Sequence, residues 1–268
     1  MVLNNQGRYK EAEILQREAL YGYETVLGRE HPDTLASMNI LAMALDNQGR
    51  YKEAELLQRE ALYGYETVLG REHPNTLTSM NGLAMVLNNQ GRYDEAELLQ
   101  REALYSYESV LGREHPNTLA SMNGLAMVLN NQGRYKEAEL LQREALYSYE
   151  MVLGRKHPNT IDSMDNLASV FRKLGKLEDA GHLQRQALEG YTEVLGGDHP
   201  HTLVSMHNLG EVYQDDGMYT KAEAMYQQAL RGLESVMGPE HPSTQRTRRK
   251  LAECLSHSLE GKSISVDS

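Results

Sequence analysis

Cysteine is nearly absent from this chain of 268 residues, which contains only Cys254. An internal disulfide is therefore excluded, and a lone thiol suits a reducing compartment. Long apolar runs are also missing, since no stretch approaches the roughly 18 to 20 apolar residues that span a bilayer, and the opening MVLNNQGRYK lacks the apolar centre of a signal peptide. These absences predict a soluble, cytoplasmic protein with no membrane segment.

Basic residues are in the minority. The chain has 27 Lys and Arg against 38 Asp and Glu, a net charge of -11. Because binding of nucleic acid requires a basic face that neutralises phosphates, we expect no nucleic-acid partner. Catalytic signatures are missing too: there is no phosphate loop ending in Gly-Lys-Ser/Thr, no Gly-x-Ser-x-Gly and no His-Glu-x-x-His. We therefore expect neither an enzyme nor a cofactor.

What the chain does contain is a repeat of 42 residues. A His-Pro pair recurs at that spacing, at positions 31, 73, 115, 157, 199 and 241, and the copies 73–114 and 115–156 differ at only four positions. A fixed period of about 20 to 50 residues is typical of solenoids and propellers, in which each unit buries its apolar face against its neighbours.

Two helices are predicted in each repeat, because apolar residues recur at steps of three and four. In the repeat 31–72 they are helix A over 33–47 and helix B over 51–69. Gly49 and Gly70 are placed to end them, and Pro74 is placed to begin the next helix A. No segment alternates with period two, which argues against propeller blades. The predicted fold class is all-α.

The domain organisation follows from the period. We predict one continuous array over residues 1–260, followed by a disordered polar tail at 261–268. The array consists of a truncated first repeat (1–30), five full repeats (31–72, 73–114, 115–156, 157–198 and 199–240) and a capping helix (243–260). The first helix B carries the interior apolar pattern without a complete helix A, which predicts end-to-end self-association through the truncated repeat.

The order of small and aromatic residues resembles the tetratricopeptide signature. It runs through Leu83-Ala84, Leu87, Gly91, Tyr93, Ala96 and Ala103. The period of 42, the His-Pro link and the run from Arg92 to Glu97 look like the variant found in kinesin light chains, and the resemblance covers nearly the whole chain. One departure is the presence of Gln58, Gln100 and Gln142 where an aromatic residue is usual in helix B.

This resemblance implies a right-handed superhelix of antiparallel helix pairs that recognises protein segments without catalysis. It leaves two more specific roles open, because the same variant is similar to repeats in several classes of protein. One role is a cargo adaptor like a kinesin light chain. The other is the sensor region of a nucleotide-binding receptor.

In such arrays the A helices line the inner wall. The helix A residues that are not needed for packing form a stripe along that wall, and this stripe predicts a groove for an extended peptide. Asparagine amides both donate and accept hydrogen bonds, and methionine is an adaptable apolar contact. The candidate peptide-binding residues are Asn39, Met43, Asn81, Met85, Asn88, Asn123, Met127, Asn130, Asp165, Arg172, His207, Arg246 and Arg249. At the basic end, Arg246 and Arg249 would face an acidic part of the peptide or its C-terminus. The alternative is a neutral surface copied along with the repeats.

Histidine and tyrosine also recur. Equivalent histidines on packed helices lie about 8 to 10 Å apart, too far to share a zinc ion, so we expect them in the link or as helix caps. The tyrosines of helix B come in pairs two residues apart, so one packs and the other faces outward. The outward set, Tyr21, Tyr63, Tyr105 and Tyr147, either packs against the link or forms a second interface.

Overall fold

The structure is a computed structural model that describes residues 9–264, with side chains described for residues 10–257. That range contains twelve helices and no strand, which confirms the all-α prediction. The helices are α1 (Tyr9–Leu27), α2 (Pro32–Asn47), α3 (Tyr51–Leu69), α4 (Pro74–Asn89), α5 (Tyr93–Leu111), α6 (Pro116–Asn131), α7 (Tyr135–Leu153), α8 (Pro158–Lys173), α9 (Leu177–Leu195), α10 (Pro200–Asp215), α11 (Tyr219–Val236) and α12 (Pro242–Ile264). Even-numbered helices are A helices and odd-numbered ones are B helices.

Each A helix begins at the proline of a His-Pro pair. Proline suits the first helical position because its missing N–H would have no partner there. The preceding histidine caps the helix: Nδ1 of His73 accepts a hydrogen bond from the backbone N–H of Asn75 at 3.1 Å. The same bond, at 3.1 to 3.2 Å, is made at all six His-Pro pairs. The expected link or cap role of these histidines is confirmed.

Glycine ends both helices of a repeat. Gly91 follows α4 at φ 79° and Gly112 follows α5 at φ 86°, in the left-handed region that favours glycine. The predicted bounds of helix A and helix B hold to within one residue for α2 and α3. The prediction was wrong for α12, which runs on to Ile264 because no proline follows to stop it. Residues 261–264 are thus helical, and 265–268 lie outside the described residues.

Two compact units divide the chain, Met1–Val152 (unit 1) and Leu153–Ser268 (unit 2); the single continuous array stays a prediction. In unit 1 consecutive helices pack as antiparallel pairs, and α4 also contacts the A helices α2 and α6. Its core places leucine and methionine of the A helices, such as Leu77 and Met80, against alanines of the B helices, such as Ala103. The small side chains let the two helices of a pair approach closely.

Unit 2 repeats this arrangement with larger side chains. Tyr226 of α11 is fully buried with Ala222 and Cys254, and the A helix α10 contacts α8 and α12. A Cβ atom at Gly210 would lie 2.7 Å from the ring of Tyr226, so glycine makes room for the aromatic side chain. Over the described part of the chain, no helix is both long and apolar enough to cross a bilayer.

Candidate protein-interaction face

In unit 1 the candidate peptide-binding residues lie in rows on the A helices. Asn39, Asn81 and Asn123 occupy equivalent positions on α2, α4 and α6, and each is partly buried. Met43 is exposed one turn further along α2, and its equivalents Met85 and Met127 are partly exposed. The structure therefore places amides and thioethers side by side on neighbouring A helices. We call this surface the A-helix face.

A buried set of polar side chains holds each asparagine in place. Oγ of Ser79 donates to Oδ1 of Asn39 at 3.1 Å and lies 3.5 Å from Oε1 of Gln58. One repeat further on, Oγ of Ser121 bonds Oδ1 of Asn81 at 3.2 Å and Oε1 of Gln100 at 3.3 Å. We call each such Asn–Ser–Gln set a polar slot. The glutamines that depart from the aromatic pattern are thus buried members of these slots.

The polar slots engage the amide oxygen of Asn39 and Asn81 but not the amide nitrogen. Oδ1 of Asn39 and of Asn81 accepts a bond from the next A helix, whereas no hydrogen bond among the described residues involves the Nδ2 group of either. Asn123 differs, since its Oδ1 accepts from Nε2 of Gln142 at 3.0 Å. The A-helix face therefore presents side-chain donors at fixed positions, beside partly exposed methionines.

Two further candidates lie deeper than expected. Asn88 is buried, and its Oδ1 accepts from Nδ2 of Asn131 at 2.9 Å. Oδ1 of Asn130 is buried too, and it has no hydrogen-bond partner within the described part of the chain. Asn88 therefore belongs to the inside of the helix stack, whereas Asn130 remains partly exposed as a residue.

In unit 2 the same positions carry charge. Asp165, equivalent to Asn123, accepts from Nε2 of Gln184 and from Nδ2 of Asn208, the latter at 2.9 Å. Burial raises the pKa of Asp165 from its ordinary value, and the hydrogen bonds from Gln184, Ser205 and Asn208 oppose that rise. The carboxyl replaces an amide in the slot, but it lies among the same kinds of donor.

His207 and Arg172 were predicted as groove residues, and the structure places both inside a cluster of charges. His207 is only 2% exposed, and its Nδ1 lies 3.0 Å from Oγ1 of Thr247. The carboxylate of Glu211 bonds Arg172 at 3.0 Å and Arg246 at 2.8 Å, thereby joining α8, α10 and α12. Sequence reasoning missed this burial because the repeats 73–114 and 115–156 carry Asn at both positions. We call these five residues the charged slot.

The charged slot keeps Glu211 ionised. Burial alone would raise the pKa of Glu211. The nearby ring of His207, whose Nε2 lies 3.7 Å from the carboxylate, and the charges of Arg246 and Arg172 outweigh burial and hold that pKa well below its ordinary value. Burial lowers the pKa of His207. Of the predicted basic end, Arg246 remains half-exposed and Arg249 is 70% exposed, 3.8 Å from Glu253.

Sequence reasoning also missed a set of links between the B helices of unit 1. Arg92, just before α5, bonds Glu55 of α3 at 2.7 Å and Glu95 at 2.6 Å, and Gln90 donates to Glu55 at 2.9 Å. Burial would raise the pKa of Glu55, but its bonds from Gln90, Arg92 and Arg59 lower it to about 2. The signal was present, because Gln, Arg and Glu recur at the same spacing around Arg50 and Arg134.

Three of the four tyrosine pairs divide as predicted, and in the first pair both Tyr21 and Tyr23 are exposed. Tyr65 is 2% exposed and its hydroxyl donates to the backbone oxygen of Pro32 at 3.0 Å, whereas Tyr63 is 72% exposed. Tyr105 and Tyr147 are exposed to a similar extent. Of the two alternatives for the outward set, packing against the link is therefore excluded.

Metal binding finds no support in the histidine-rich part of unit 2. The rings of His199 and His201 lie 5.3 Å apart, and Nδ1 of His201 lies 3.6 Å from Asp162. Nδ1 of His199 is already engaged as a helix cap. In the described residues, no group of three or more His, Cys, Asp or Glu side chains is arranged to hold a metal ion.

Comparison with known proteins points to one family. Two family models, both described as tetratricopeptide repeat, match the chain: one over 57–104, 75–150, 122–193, 164–235 and 206–260, the other over 1–33 and 34–75. No curated protein sequence matches.

Solved structures show the same kind of repeat. The nearly identical TPR-like repeats of a Podosopora anserina protein described as a kinesin light chain are 28% identical, cover 76% of this chain and 97% of that one, and give a TM-score of 0.57. BtubC (BKLC) from P. vanneervenii is 22% identical over 90% and 94% of the two chains, with a TM-score of 0.60. A Rap protein complexed with Competence and Sporulation Factor is 15% identical over 97% and 73%, with a TM-score of 0.67. The last two likenesses concern the fold alone.

Proposed function

Because the chain belongs to the tetratricopeptide-repeat family, in its 42-residue form like that of kinesin light chains, we propose that it binds an extended protein segment along the A-helix face of unit 1. Repeat arrays of this family are scaffolds for protein interaction. The specific proposal concerns which face is used and how. The segment would lie across α2, α4 and α6, and bind without catalysis.

The unengaged Nδ2 groups of Asn39 and Asn81 carry this proposal. An extended peptide presents backbone carbonyl oxygens at regular intervals whatever its sequence, and side-chain amides can donate to them. Because Oδ1 of each asparagine is fixed by a serine of the next A helix, the donor is oriented before the peptide arrives. Less rotamer entropy is then lost on binding. Met43, Met85 and Met127 supply adaptable apolar contacts between these donors.

Peptide selection followed by one substitution tests this. Linear peptides selected from a phage-displayed library against the whole chain would be titrated against the wild type and Asn81→Asp. This substitution keeps the Oδ1 acceptor for Ser121 but removes the Nδ2 donor. Loss of one hydrogen bond of about 0.5 to 1.5 kcal/mol predicts a roughly three- to tenfold weaker affinity.

The matched control is Asn117→Asp, which adds the same charge at an exposed position at the start of α6, outside the A-helix face. Its peptide affinity should equal that of the wild type. If both variants bind the selected peptides as tightly as the wild type, the segment does not lie on the A-helix face.

Unit 2 offers a basic surface of its own. Arg249 is largely exposed on α12, and its contact with Glu253 is long for an ion pair. We infer that Arg249 favours acidic segments. Arg249→Glu should therefore weaken peptides that carry aspartate or glutamate near one end more than it weakens neutral ones. Equal losses for both classes would remove the preference.

End-to-end self-association is a second candidate function. Tyr23 of α1 is 42% exposed, whereas its equivalent Tyr65 is 2% exposed, so α1 leaves uncovered the side that other B helices bury. Val26 and Leu27 extend this apolar surface. Tyr23→Glu should then reduce association at high concentration, as measured by sedimentation velocity. An unchanged profile would dismiss this route.

Two more specific roles stay as alternatives, a cargo adaptor and the sensor region of a nucleotide-binding receptor. The 28% identity to repeats described as those of a kinesin light chain favours the first. Co-precipitation of a kinesin heavy chain with the whole protein would support it. Failure to do so, together with co-precipitation of a nucleotide-binding receptor module, would favour the second.

A further inference from the structure

A regular set of large apolar side chains lies uncovered on the B helices of unit 1. Their exposed fractions run from 59% to 76%. The set, here called the B-helix band, consists of Ile14, Tyr21, Leu56, Tyr63, Leu98, Tyr105, Leu140 and Tyr147. Single exposed apolar residues need no explanation, but a contiguous exposed patch usually marks an interface.

The band follows four neighbouring B helices of unit 1. In each helix the aliphatic residue precedes the tyrosine by seven positions, so both lie on one face about 10.5 Å apart at 1.5 Å per residue. Adjacent B helices are joined across this face, since Nη2 of Arg59 lies 3.8 Å from Oε2 of Glu95 and Arg17 makes the same contact with Glu53. The eight side chains thus form four parallel rows of two.

We propose that the B-helix band is the contact surface of a homodimer, in which two copies of unit 1 pair band to band about a twofold axis. A twofold interface uses the same patch on both partners, so the patch must suit itself in area and charge. Both requirements can be checked against the exposed side chains.

The area is adequate. A buried aromatic side chain removes about 150 to 250 Å² from water, so four tyrosines exposed to this degree offer on the order of 500 Å². The four aliphatic side chains add a somewhat smaller area. The sum approaches the roughly 800 Å² per partner of a stable interface of ordinary size.

Charge also favours a second copy. The whole chain carries -11, yet the exposed charged side chains of α1, α3, α5 and α7 are seven basic and six acidic: Lys10, Arg17, Lys52, Arg59, Arg101, Lys136, Arg143, Glu11, Glu18, Glu53, Asp94, Glu95 and Glu137. Glu60, Glu102 and Glu144 also lie between the aliphatic residue and the tyrosine of their rows, and each is paired with an exposed arginine, Arg29, Arg71 or Arg113. With these pairs counted, this side is nearly neutral and mixed in sign, so it neither repels a copy nor attracts a strongly charged partner. A guanidinium lies between the aliphatic residue and the tyrosine of each row, where an incoming ring can stack on it.

The band stops at the end of unit 1. In unit 2 its positions are taken by His182 and Glu189 on α9 and by Ala224 and Arg231 on α11. These residues are ordinary for a solvated helix face. Unit 2 therefore supplies positions for control substitutions within the same protein.

Sedimentation velocity of the whole chain over a concentration series tests the proposal. The wild type should show a reversible monomer–dimer equilibrium, and Tyr63→Glu with Tyr105→Glu should weaken it at least about tenfold, as expected for central aromatic contacts. Both tyrosines are more than two-thirds exposed, so the helical circular dichroism signal should not change. Peptide binding at the A-helix face should persist, which separates this result from the proposed function.

Two controls decide between surfaces. Glu189→Lys, at the equivalent position in unit 2, should leave the dimer intact. Tyr23→Glu should reduce only the end-to-end association of dimers into larger species, and the dimer itself should remain intact. A monomeric wild type at all concentrations, a dimer that survives the double tyrosine variant, or a dimer lost with Tyr23→Glu alone would each overturn the proposal.

A distance measurement gives a second, independent test. A nitroxide attached after Leu98→Cys should report a short distance between copies, because Leu98 lies in the middle of the band. The same label attached after Glu189→Cys should report none. The native Cys254 is fully buried and should remain unlabelled. Absence of a short distance for Leu98→Cys in a dimeric sample would place the contact elsewhere.

Discussion

Units 1 and 2 share the same helix-pair architecture, but different residue types make the buried polar contacts between their successive A helices. Between successive A helices of unit 1 the buried contacts are neutral, as in the bond from Ser79 to Asn39. At the equivalent place in unit 2, Thr247 meets His207, and Glu211 lies between two arginines. The backbone arrangement allows both neutral and charged contacts at this place. The degree of sequence identity between repeats explains why unit 1 has the neutral ones and unit 2 the charged ones.

Identical repeats place like residues next to like residues along the stack. A charged residue at a given position would then face the same charge in the next repeat, which is unfavourable when buried. An amide avoids this because it both donates and accepts. Unit 2 has diverged, so opposite charges such as Arg172 and Glu211 can occupy neighbouring helices. Near-identity thus disfavours a buried charge where a position meets its own equivalent in the next repeat, whereas pairs of different positions, such as Arg92 and Glu55, remain possible.

The largest expected loss of stability comes from replacing a residue of the charged slot by its equivalent in unit 1. Glu211→Met introduces the residue of Met85 and Met127 and leaves Arg172, which is 12% exposed, without its buried carboxylate. Removing one partner of a buried ion pair costs about 3 to 5 kcal/mol, and the lower end applies here because Asp215 still bonds Arg172. Hydrogen exchange of amides in α10 and α12 should show that loss as reduced protection.

A compensated variant is its control. Glu211→Met combined with Arg172→Asn and Arg246→Ala converts all three positions to residues found in unit 1. It should recover most of the lost protection, because no unpaired charge remains buried. If the single and the triple variant lose the same protection, the charges do not matter and the methionine simply fails to fit.

A smaller loss of stability is expected from replacing a helical glycine by alanine, and it should differ between the two units. In unit 2, a Cβ at Gly210 would lie 2.7 Å from the buried ring of Tyr226, which cannot move aside, so Gly210→Ala should cost about 1 to 3 kcal/mol. In unit 1, a Cβ at Gly82 would lie 2.7 Å from the end of Gln58, a flexible side chain. Gly82→Ala should be close to neutral, since alanine favours the helix by about 1 kcal/mol. Equal losses in chemical denaturation would contradict this difference.

The fold could be predicted almost completely from the sequence, and the reasons are local. Helix ends in this chain are set by residue types that strongly favour one backbone conformation at a helix end. Examples are Gly91 in the left-handed region and the proline of each His-Pro pair. The end of α12 was missed because the helix runs through Gly261, where the tail was predicted to begin, and no proline follows. Burial at the A-helix face was harder to predict.

Periodicity assigns a residue to a helix face but does not give its depth. His207 and Arg172 fell on the predicted stripe, and both are covered because Thr247, Glu211 and Asp215 bond them. Those bonds join residues about 40 positions apart, so they appear only when repeats are compared position by position. Asn81 and Asn123 lie on the A-helix face as the stripe implied, and their role in peptide binding stays a prediction.

The two units should lose hydrogen-exchange protection at different pH values as the solution is made more acidic. Burial lowers the pKa of His207 below its ordinary 6.5, so the folded chain keeps this side chain neutral while the unfolded chain takes up a proton. Unit 2 should therefore lose protection as pH falls below 6.5. Thr247, Glu211, Arg172 and Arg246 surround the ring, and the two arginines oppose its protonation.

Unit 1 should respond to acid later. Burial would raise the pKa of Glu97, but its bonds from Gln132, Arg101 and Arg134 lower it to about 2 from 4.5, so its contribution is complete above pH 4.5 and lost as pH falls toward 2. His207→Asn, which restores the residue of unit 1, should remove most of the earlier loss. Some should remain, because burial lowers the pKa of His199 to about 4. Simultaneous loss in both units would contradict the assignment.

The smallest effect is expected from exchanging the links between B helices. Arg50 bonds Glu13 and Glu53 in unit 1, and Met218 takes the equivalent position in unit 2. Arg50→Met should cost less than about 1 kcal/mol, because the arginine is partly exposed and its partner Glu53 is half-exposed, and the loss should shrink further at high salt. Met218→Arg should give no gain, because the positions equivalent to the two carboxylates are Gly181 and Lys221. A gain from Met218→Arg in thermal unfolding would mean that this arginine stabilises the helix turn itself, and the links between repeats would then be incidental.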